Sequence, residues 1–307
     1  MLDYHVHLWP HAETADPLEH RLEELARYCE DAARRGVEEI ALTEHFFRFR
    51  SARAVIDGFW DDEADPALRG AIACYFDHHA TAELDDYVEA ALAAKAAGLP
   101  VRLGLEVDYY PGQMDKVAAL LAGYPFDVLL GSVHWLGTFM FDDLSSEVAQ
   151  AEWARRGIEA TWRAYADALG ELAATRSVDV LAHPDLVKVA GHRPDAGLVR
   201  ECEARIAEAA ATSGMAAELS SAGWRKPAAE AYPSPSLLAR FFERSVPLTT
   251  ASDTHGRADV ASRSAELAEL AEAAGYSHLR AFSARQGRDV PLRAERGARA
   301  ADEAATS

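Results

Sequence analysis

His5 and His7 stand two positions apart in Asp3-Tyr4-His5-Val6-His7. In an extended strand residues i and i+2 point to the same side, so both imidazoles can reach one ion. Further imidazoles and carboxylates recur along the chain. They are His45 in Leu42-Thr43-Glu44-His45, Glu106 in Gly104-Leu105-Glu106-Val107-Asp108, His134 in Gly131-Ser132-Val133-His134 and His183 in Leu181-Ala182-His183-Pro184-Asp185. Asp253 and His255 follow in Ala251-Ser252-Asp253-Thr254-His255. Neutral imidazoles and carboxylates suit Zn2+, Mn2+ or Fe2+. Each residue taken alone reads equally well as a hydrogen-bonding side chain. Glu106 is harder to explain that way, because a carboxylate buried in an apolar run is costly without a partner. The recurrence at the ends of successive strand-like runs predicts a metal site. His20, His78, His79, His192 and His278 fall on helices, loops or a late edge strand and read as structural.

The elements that must position these groups alternate. Strand-like runs cover residues 2–7, 37–43, 101–107, 127–133, 178–182, 215–219 and 246–251, with 278–282 as one last candidate. Helical periodicity covers 17–35, 82–97, 113–121, 147–175 with possible breaks at Gly157 and Gly170, 196–212, 234–244 and 258–274. Alternating β and α units imply a parallel sheet, and seven or eight of them fit one closed barrel better than two small domains. The C-terminal strand ends of such a barrel converge on one face, where catalytic groups sit. The expected organisation is a single α/β domain over residues 1–292. Residues 46–81 lack clear periodicity and read as a long active-site loop with short helices. Residues 293–307, rich in Ala, Arg and Glu, read as a disordered tail.

Composition narrows the function. The chain has 307 residues, 49% of them hydrophobic, and a formal net charge of −19. That balance argues against a nucleic-acid or anionic-membrane surface, both of which need a basic face. A phosphate substrate is compatible with it, because bound cations dominate their local field. Cys29, Cys74 and Cys202 are odd in number, far apart and without CxxC spacing. They read as reduced, buried thiols of a cytoplasmic protein. No signal-peptide pattern opens the sequence, and no apolar run approaches the roughly 20 residues of a membrane span.

Taken in order, these motifs resemble the polymerase-and-histidinol-phosphatase (PHP) superfamily. The segment Glu218-Leu219-Ser220-Ser221-Ala222-Gly223-Trp224-Arg225-Lys226-Pro227, continuing to Glu230-Ala231-Tyr232-Pro233-Ser234, resembles its histidinol-phosphatase branch. The resemblance implies a distorted (β/α)7 barrel of the PHP type with a trinuclear metal centre. It also implies hydrolysis of L-histidinol phosphate to L-histidinol and phosphate, a step of histidine biosynthesis. Carried over by position, a first metal would take His5, His7, Glu106 and Asp253. A second would share Glu106 and add His134 and His183. A third would take His45, His255 and a histidine of the first loop. The candidate for that last ligand is His11 in Leu8-Trp9-Pro10-His11, provided the loop is two residues shorter than in relatives; Glu13 or Asp16 are the substitutes.

The expected chemistry follows from the metals. Metal-bound water has a pKa near ~7 in favourable sites, so a hydroxide bridging two ions, with Glu106 as shared ligand, is the expected nucleophile. The metals and a guanidinium would neutralise the transition state. Arg225, Lys226 and Ser221 follow the sixth strand and are the candidate phosphate contacts. Arg225 suits a forked contact, the alternative being a solvated turn cation. Asp185 reads either as the general acid for the leaving alkoxide or as a helix cap. Asp57, Asp61, Asp62, Glu63 and Asp65 read either as an acidic wall for the substrate cation or as a solvated face. Two rival functions remain, a nucleotide or oligonucleotide phosphoesterase and a non-catalytic metal-binding module. The acidic balance opposes the first and the nearly complete donor set opposes the second.

Overall fold

The computed structural model describes residues 1–10 and 21–292. His11, Glu13, Asp16, His20 and the segment 293–307 lie outside the described residues. In chain order the elements are β1 (Leu2–Val6), α1 (Leu22–Arg34), β2 (Glu39–Leu42), α2 (Arg50–Ile56), α3 (Pro66–His79), α4 (Leu84–Ala96), β3 (Val101–Asp108), α5 (Met114–Leu121) and β4 (Val128–Ser132). A short hairpin, β5 (Trp135–Leu136) and β6 (Phe139–Met140), precedes α6 (Glu147–Arg156), α7 (Ile158–Thr175), β7 (Val180–Leu181) and α8 (Ala196–Ser213). The chain continues through β8 (Ala216–Ser220), α9 (Pro235–Glu243), β9 (Leu248–Ala251), α10 (Ser264–Ala274), β10 (His278–Ser283) and β11 (Gln286–Pro291).

Seven strands form one parallel sheet in the order β1-β2-β3-β4-β7-β8-β9. Its ends meet: Thr250 Oγ1 donates to the Leu2 carbonyl at 2.7 Å and His7 N to the Thr254 carbonyl at 2.8 Å. Asp3 locks this seam, its carboxylate accepting from Ser252 N, Ser252 Oγ and Ala261 N at 2.7 Å each. The result is a distorted (β/α)7 barrel in a single domain. Every residue of β1, β4, β8 and β9 is buried, as expected where a parallel sheet is covered on both faces.

β10 and β11 form an antiparallel hairpin outside the barrel sheet, so 278–282 is not a barrel strand. The hairpin covers the N-terminal strand ends. Phe282 N donates to Tyr4 Oη at 3.1 Å, and Ala284 N and Arg285 N reach Asp127, just before β4, at 3.1 and 2.9 Å. That end is sealed, which leaves the opposite end for the site.

Other boundaries differ for local reasons. Residues 258–274 are not one helix, because Ala261 and Arg263 adopt positive φ (53° and 56°) and α10 begins only at Ser264. The segment 46–81 is mostly helical. Asp65 caps α3 by accepting from Ala67 N at 2.8 Å, and Pro66 occupies the first turn, where its missing N–H costs nothing. Gly157 divides α6 from α7 with φ at 80°, while Gly170 lies within α7. Cys29, Cys74 and Cys202 are all free thiols, but Cys74 is exposed rather than buried.

Candidate metal centre

The C-terminal strand ends carry the predicted donors to one place, and Glu106 in β3 is its hub. Glu106 Oε2 lies 2.6 Å from His45 Nδ1, 3.3 Å from His5 Nε2 and 3.5 Å from His7 Nε2. Its Oε1 lies 3.0 Å from His183 Nε2 and 3.4 Å from His134 Nε2. Asp253 Oδ1 stands 3.8 Å from His5 Nε2, His7 Nε2 and His255 Nδ1. His255 stacks on His7 with ring centroids 4.2 Å apart, and its Nε2 is 3.3 Å from His45 Nε2. Every predicted donor among the described residues is therefore gathered here. His183 and Asp253 hold positive φ (26° and 49°), backbone strain that turns their side chains at the strand ends.

The donor set suits divalent cations. Three overlapping groups have one donor atom per residue within 4.8 Å of one another: His5–His7–Glu106, His45–Glu106–His134 and His7–His45–His255. Buried His5 Nε2, His7 Nε2 and Glu106 Oε2 have no hydrogen-bond partner. Buried polar atoms are rarely left so, and cations accepting these lone pairs resolve the deficit.

Behind the imidazoles stands a ring of carboxylates that the sequence reading did not single out. Glu218 Oε2 meets His5 Nδ1 at 2.8 Å, and Asp108 Oδ1 meets His134 Nδ1 at 2.6 Å. Glu44 Oε2 is 3.5 Å from His7 Nδ1, while its Oε1 accepts from Leu8 N at 2.6 Å. An acceptor at Nδ1 fixes that proton and leaves the Nε2 lone pair facing Glu106. One signal was available for Asp108: it lies two residues past Glu106, on the same face of its strand.

The electrostatics follow. Burial alone would lower His134, but Asp108 and Glu106 outweigh it and raise it to about 10. His5 is raised well above the usual range in the same way, against burial, by Glu218, Glu106 and Asp253. Burial would raise Glu106, yet His45, His5 and His134 hold it well below the carboxylate range. Without cations the site holds protons in their place.

The predicted substrate contacts are arranged less simply. Arg225 Nη2 donates to the Ser252 and Asp253 carbonyls at 2.8 and 2.9 Å, and Nη1 to Ser262 Oγ at 3.0 Å. The guanidinium is thus pinned beside Asp253. With Lys226, Asp253 and His255 it lines a cleft of about 370 Å³. Ser221 is buried and shares a 3.0 Å hydrogen bond with Ser262 Oγ. A Cβ at Gly223 would sit 2.0 Å from the Glu230 carbonyl, so only glycine lets the Arg225 turn pack there. Asp185 makes no helix-cap bond; its Oδ2 accepts from Lys188 Nζ at 2.7 Å and Ser234 N at 2.8 Å, and its Oδ1 has no partner. Asp57, Asp61 and Asp62 are exposed, Asp65 caps α3 and Glu63 accepts from Thr138 Oγ1 at 2.5 Å.

Comparison with known proteins agrees with this geometry. The family model described as PHP domain matches residues 3–222. A Deinococcus radiodurans protein named "Probable histidinol-phosphatase" is 35% identical over 187 residues, 60% of this chain and 70% of its own. The crystal structure of histidinol phosphate phosphatase from Lactococcus lactis subsp. lactis, complexed with zinc, L-histidinol and phosphate, superposes with a TM-score of 0.67. It shares 20% identity and covers 94% of this chain and 98% of its own, a likeness of fold. Among the described residues no helix is long and apolar enough to cross a membrane.

Proposed function

The chain belongs to the PHP domain family, and from that premise we propose that it is a metal-dependent phosphomonoesterase that converts L-histidinol phosphate to L-histidinol and phosphate. The observation that carries this reading is the convergence of five imidazoles on the two oxygens of buried Glu106, beside a cleft lined by Arg225. The relatives' names supply the substrate.

The ligand sets proposed are His5, His7, Glu106 and Asp253 for one ion, Glu106, His134 and His183 for a second, and His45 and His255, with His11 outside the described residues, for a third. Zinc is favoured by the ion in the Lactococcus structure, and Mn2+ or Fe2+ suit the same donors. Bound there, divalent ions supply an acidified water and positive charge against the phosphoryl oxygens.

The chain's own residues do the rest. After its three bonds to Ser252, Asp253 and Ser262, and with Nε 3.9 Å from Asp259 Oδ2, Arg225 keeps one Nη1 proton to offer phosphate, and its charge stands fixed beside the cleft. Exposed Lys226 lines the same cleft, and the buried Ser221–Ser262 pair supports Arg225 from behind through Ser262 Oγ. Asp185 is assigned the leaving-group proton through its free Oδ1. Burial raises this carboxyl above its ordinary range, which favours the protonated form. Residues 46–81 wall the site, Phe47 stacking on His45 with centroids 4.6 Å apart. Free Cys29, Cys74 and Cys202 support a reducing, cytoplasmic setting, and the net charge of −19 disfavours nucleic-acid or membrane partners.

The test is phosphate release after metal reconstitution from histidinol phosphate, an aryl phosphate and a dinucleotide. A clear preference for histidinol phosphate is expected. Equal weak rates on all three overturn the assignment, and a preference for the dinucleotide favours the phosphoesterase alternative.

A further inference from the structure

One carboxylate beside the metal centre has no cationic partner. Asp142 is half-buried, and among the described residues its side chain makes no hydrogen bond or ion pair. Its place is fixed from two sides. The β5–β6 hairpin leads out from His134 and back, Trp135 pairing with Met140. Phe141 packs on Tyr165 with ring centroids 5.4 Å apart, and its carbonyl accepts from Trp153 Nε1 at 2.8 Å. Tyr165 Oη in turn donates to the His183 carbonyl at 3.1 Å. Asp142 is thereby held near two proposed ligand histidines, and its charge is felt at His134, Tyr75, Tyr165 and Tyr232.

Tyr232 is a second, independent observation. It is fully buried, and its Oη has no hydrogen-bond partner. Its backbone is clamped to Ser220 through N–H···O bonds of 3.0 and 2.6 Å, and its ring meets His183 edge-on with centroids 6.4 Å apart. The charges acting on it are Asp185, Asp253 and Asp142 on one hand and Arg225 on the other. This unsatisfied hydroxyl is thus held beside His183, within reach of the charges of both Asp142 and Arg225.

The site thus has two unlike sides. Arg225 and Lys226 line the cleft beside Asp253 and His255, whereas Asp142 stands by His134 and by His183, against whose ring Tyr232 packs. We propose that Asp142 binds a positively charged group on the alcohol moiety of the substrate ester, with Tyr232 Oη hydrogen-bonding to the substrate between that group and the phosphate. An ammonium brought close to divalent cations is repelled, and a fixed carboxylate on its far side offsets that repulsion. The exposed acids of 57–65 have no comparable position: they cap a helix, bind Thr138 or face solvent.

This inference rests on the phosphomonoesterase reading, so the test separates the two. Metal-loaded wild type, Asp142→Asn and Asp142→Glu are compared on 2-aminoethyl phosphate and ethyl phosphate, which differ only by an ammonium. Binding of L-histidinol is measured on the same proteins by calorimetry. A charge-assisted contact predicts that Asp142→Asn lowers the amino-to-plain ratio of kcat/KM about tenfold or more and weakens L-histidinol by a similar factor. Asp142→Glu recovers part of both, and metal content is unchanged. A wild-type ratio in Asp142→Asn, or an unchanged affinity for L-histidinol, overturns the role of Asp142. Absence of turnover by the wild type counts instead against the phosphomonoesterase reading.

Discussion

Replacing Glu218 with glutamine tests the carboxylate ring behind the metal ligands. Glu218 makes two bonds from full burial: Oε2 accepts from His5 Nδ1 at 2.8 Å and Oε1 from the His183 backbone N–H at 3.2 Å. The amide keeps the shape but offers only one acceptor. If its oxygen serves His183, its NH2 faces His5 Nδ1, and His5 satisfies it only by moving its own proton to Nε2, the nitrogen facing Glu106. If its oxygen serves His5, the NH2 opposes the His183 N–H. Either way one charge-assisted bond of about 1.5–3 kcal/mol is lost. That corresponds to roughly tenfold to hundredfold in metal affinity, the range typical for groups that orient ligating histidines. Chelator competition on Glu218→Gln, with kcat/KM at fixed free metal, measures it. Metal affinity within about twofold of wild type would refute the orienting role.

Glu106→Gln removes the charge shared by five imidazoles, so activity is lost and elemental analysis finds less metal per chain; full occupancy with retained activity contradicts its central place. Arg225→Ala should raise KM and the inhibition constant for inorganic phosphate about tenfold or more, and Arg225→Lys should not restore them, because an ammonium cannot reproduce the bonds to Ser252, Asp253 and Ser262 that fix the charge; unchanged kinetics exclude Arg225 from the site. Gly223→Ala drives a Cβ against the Glu230 carbonyl, so turnover falls while metal content persists; wild-type kinetics would show that the turn can shift freely. In chelator the pH dependence has a definite sign. His5 and His134 have folded pKa values above the unfolded ~6.5, so their stabilisation is complete below that pH and is lost as pH rises toward about 10 for His134. The melting temperature of the metal-free protein should therefore fall across that window. The metal-loaded protein should gain on it, because deprotonated imidazoles bind tighter. Parallel curves contradict this account.

Much of the site was legible because barrel strand ends place sequence-distant residues together, so a donor after each apolar run was enough to anticipate the cluster. The carboxylate ring was less visible. Glu44, Asp108 and Glu218 act through one histidine each, and only the fold shows which carboxylate backs which ring. Of the two readings of Asp185 the helix cap is not formed, because its carboxylate is held by Lys188, which is itself anchored to Glu230 forty-two residues away, a link that no local pattern announces. Among the elements, α3 carried a readable start signal in Asp65-Pro66, whereas the break before α10 depends on left-handed Ala261 and Arg263, residue types that give no warning. The β10–β11 hairpin had strand character, but periodicity does not tell a barrel strand from a plug.

The most direct measurement strips the protein of metal and follows histidinol phosphate turnover as a divalent ion is titrated back, with bound metal quantified at each point. Turnover is expected to start near zero, rise with occupancy and saturate when the bound metal does. Turnover that persists in the stripped protein, or that ignores bound metal, would contradict the claim that cations held around Glu106 carry the hydrolysis.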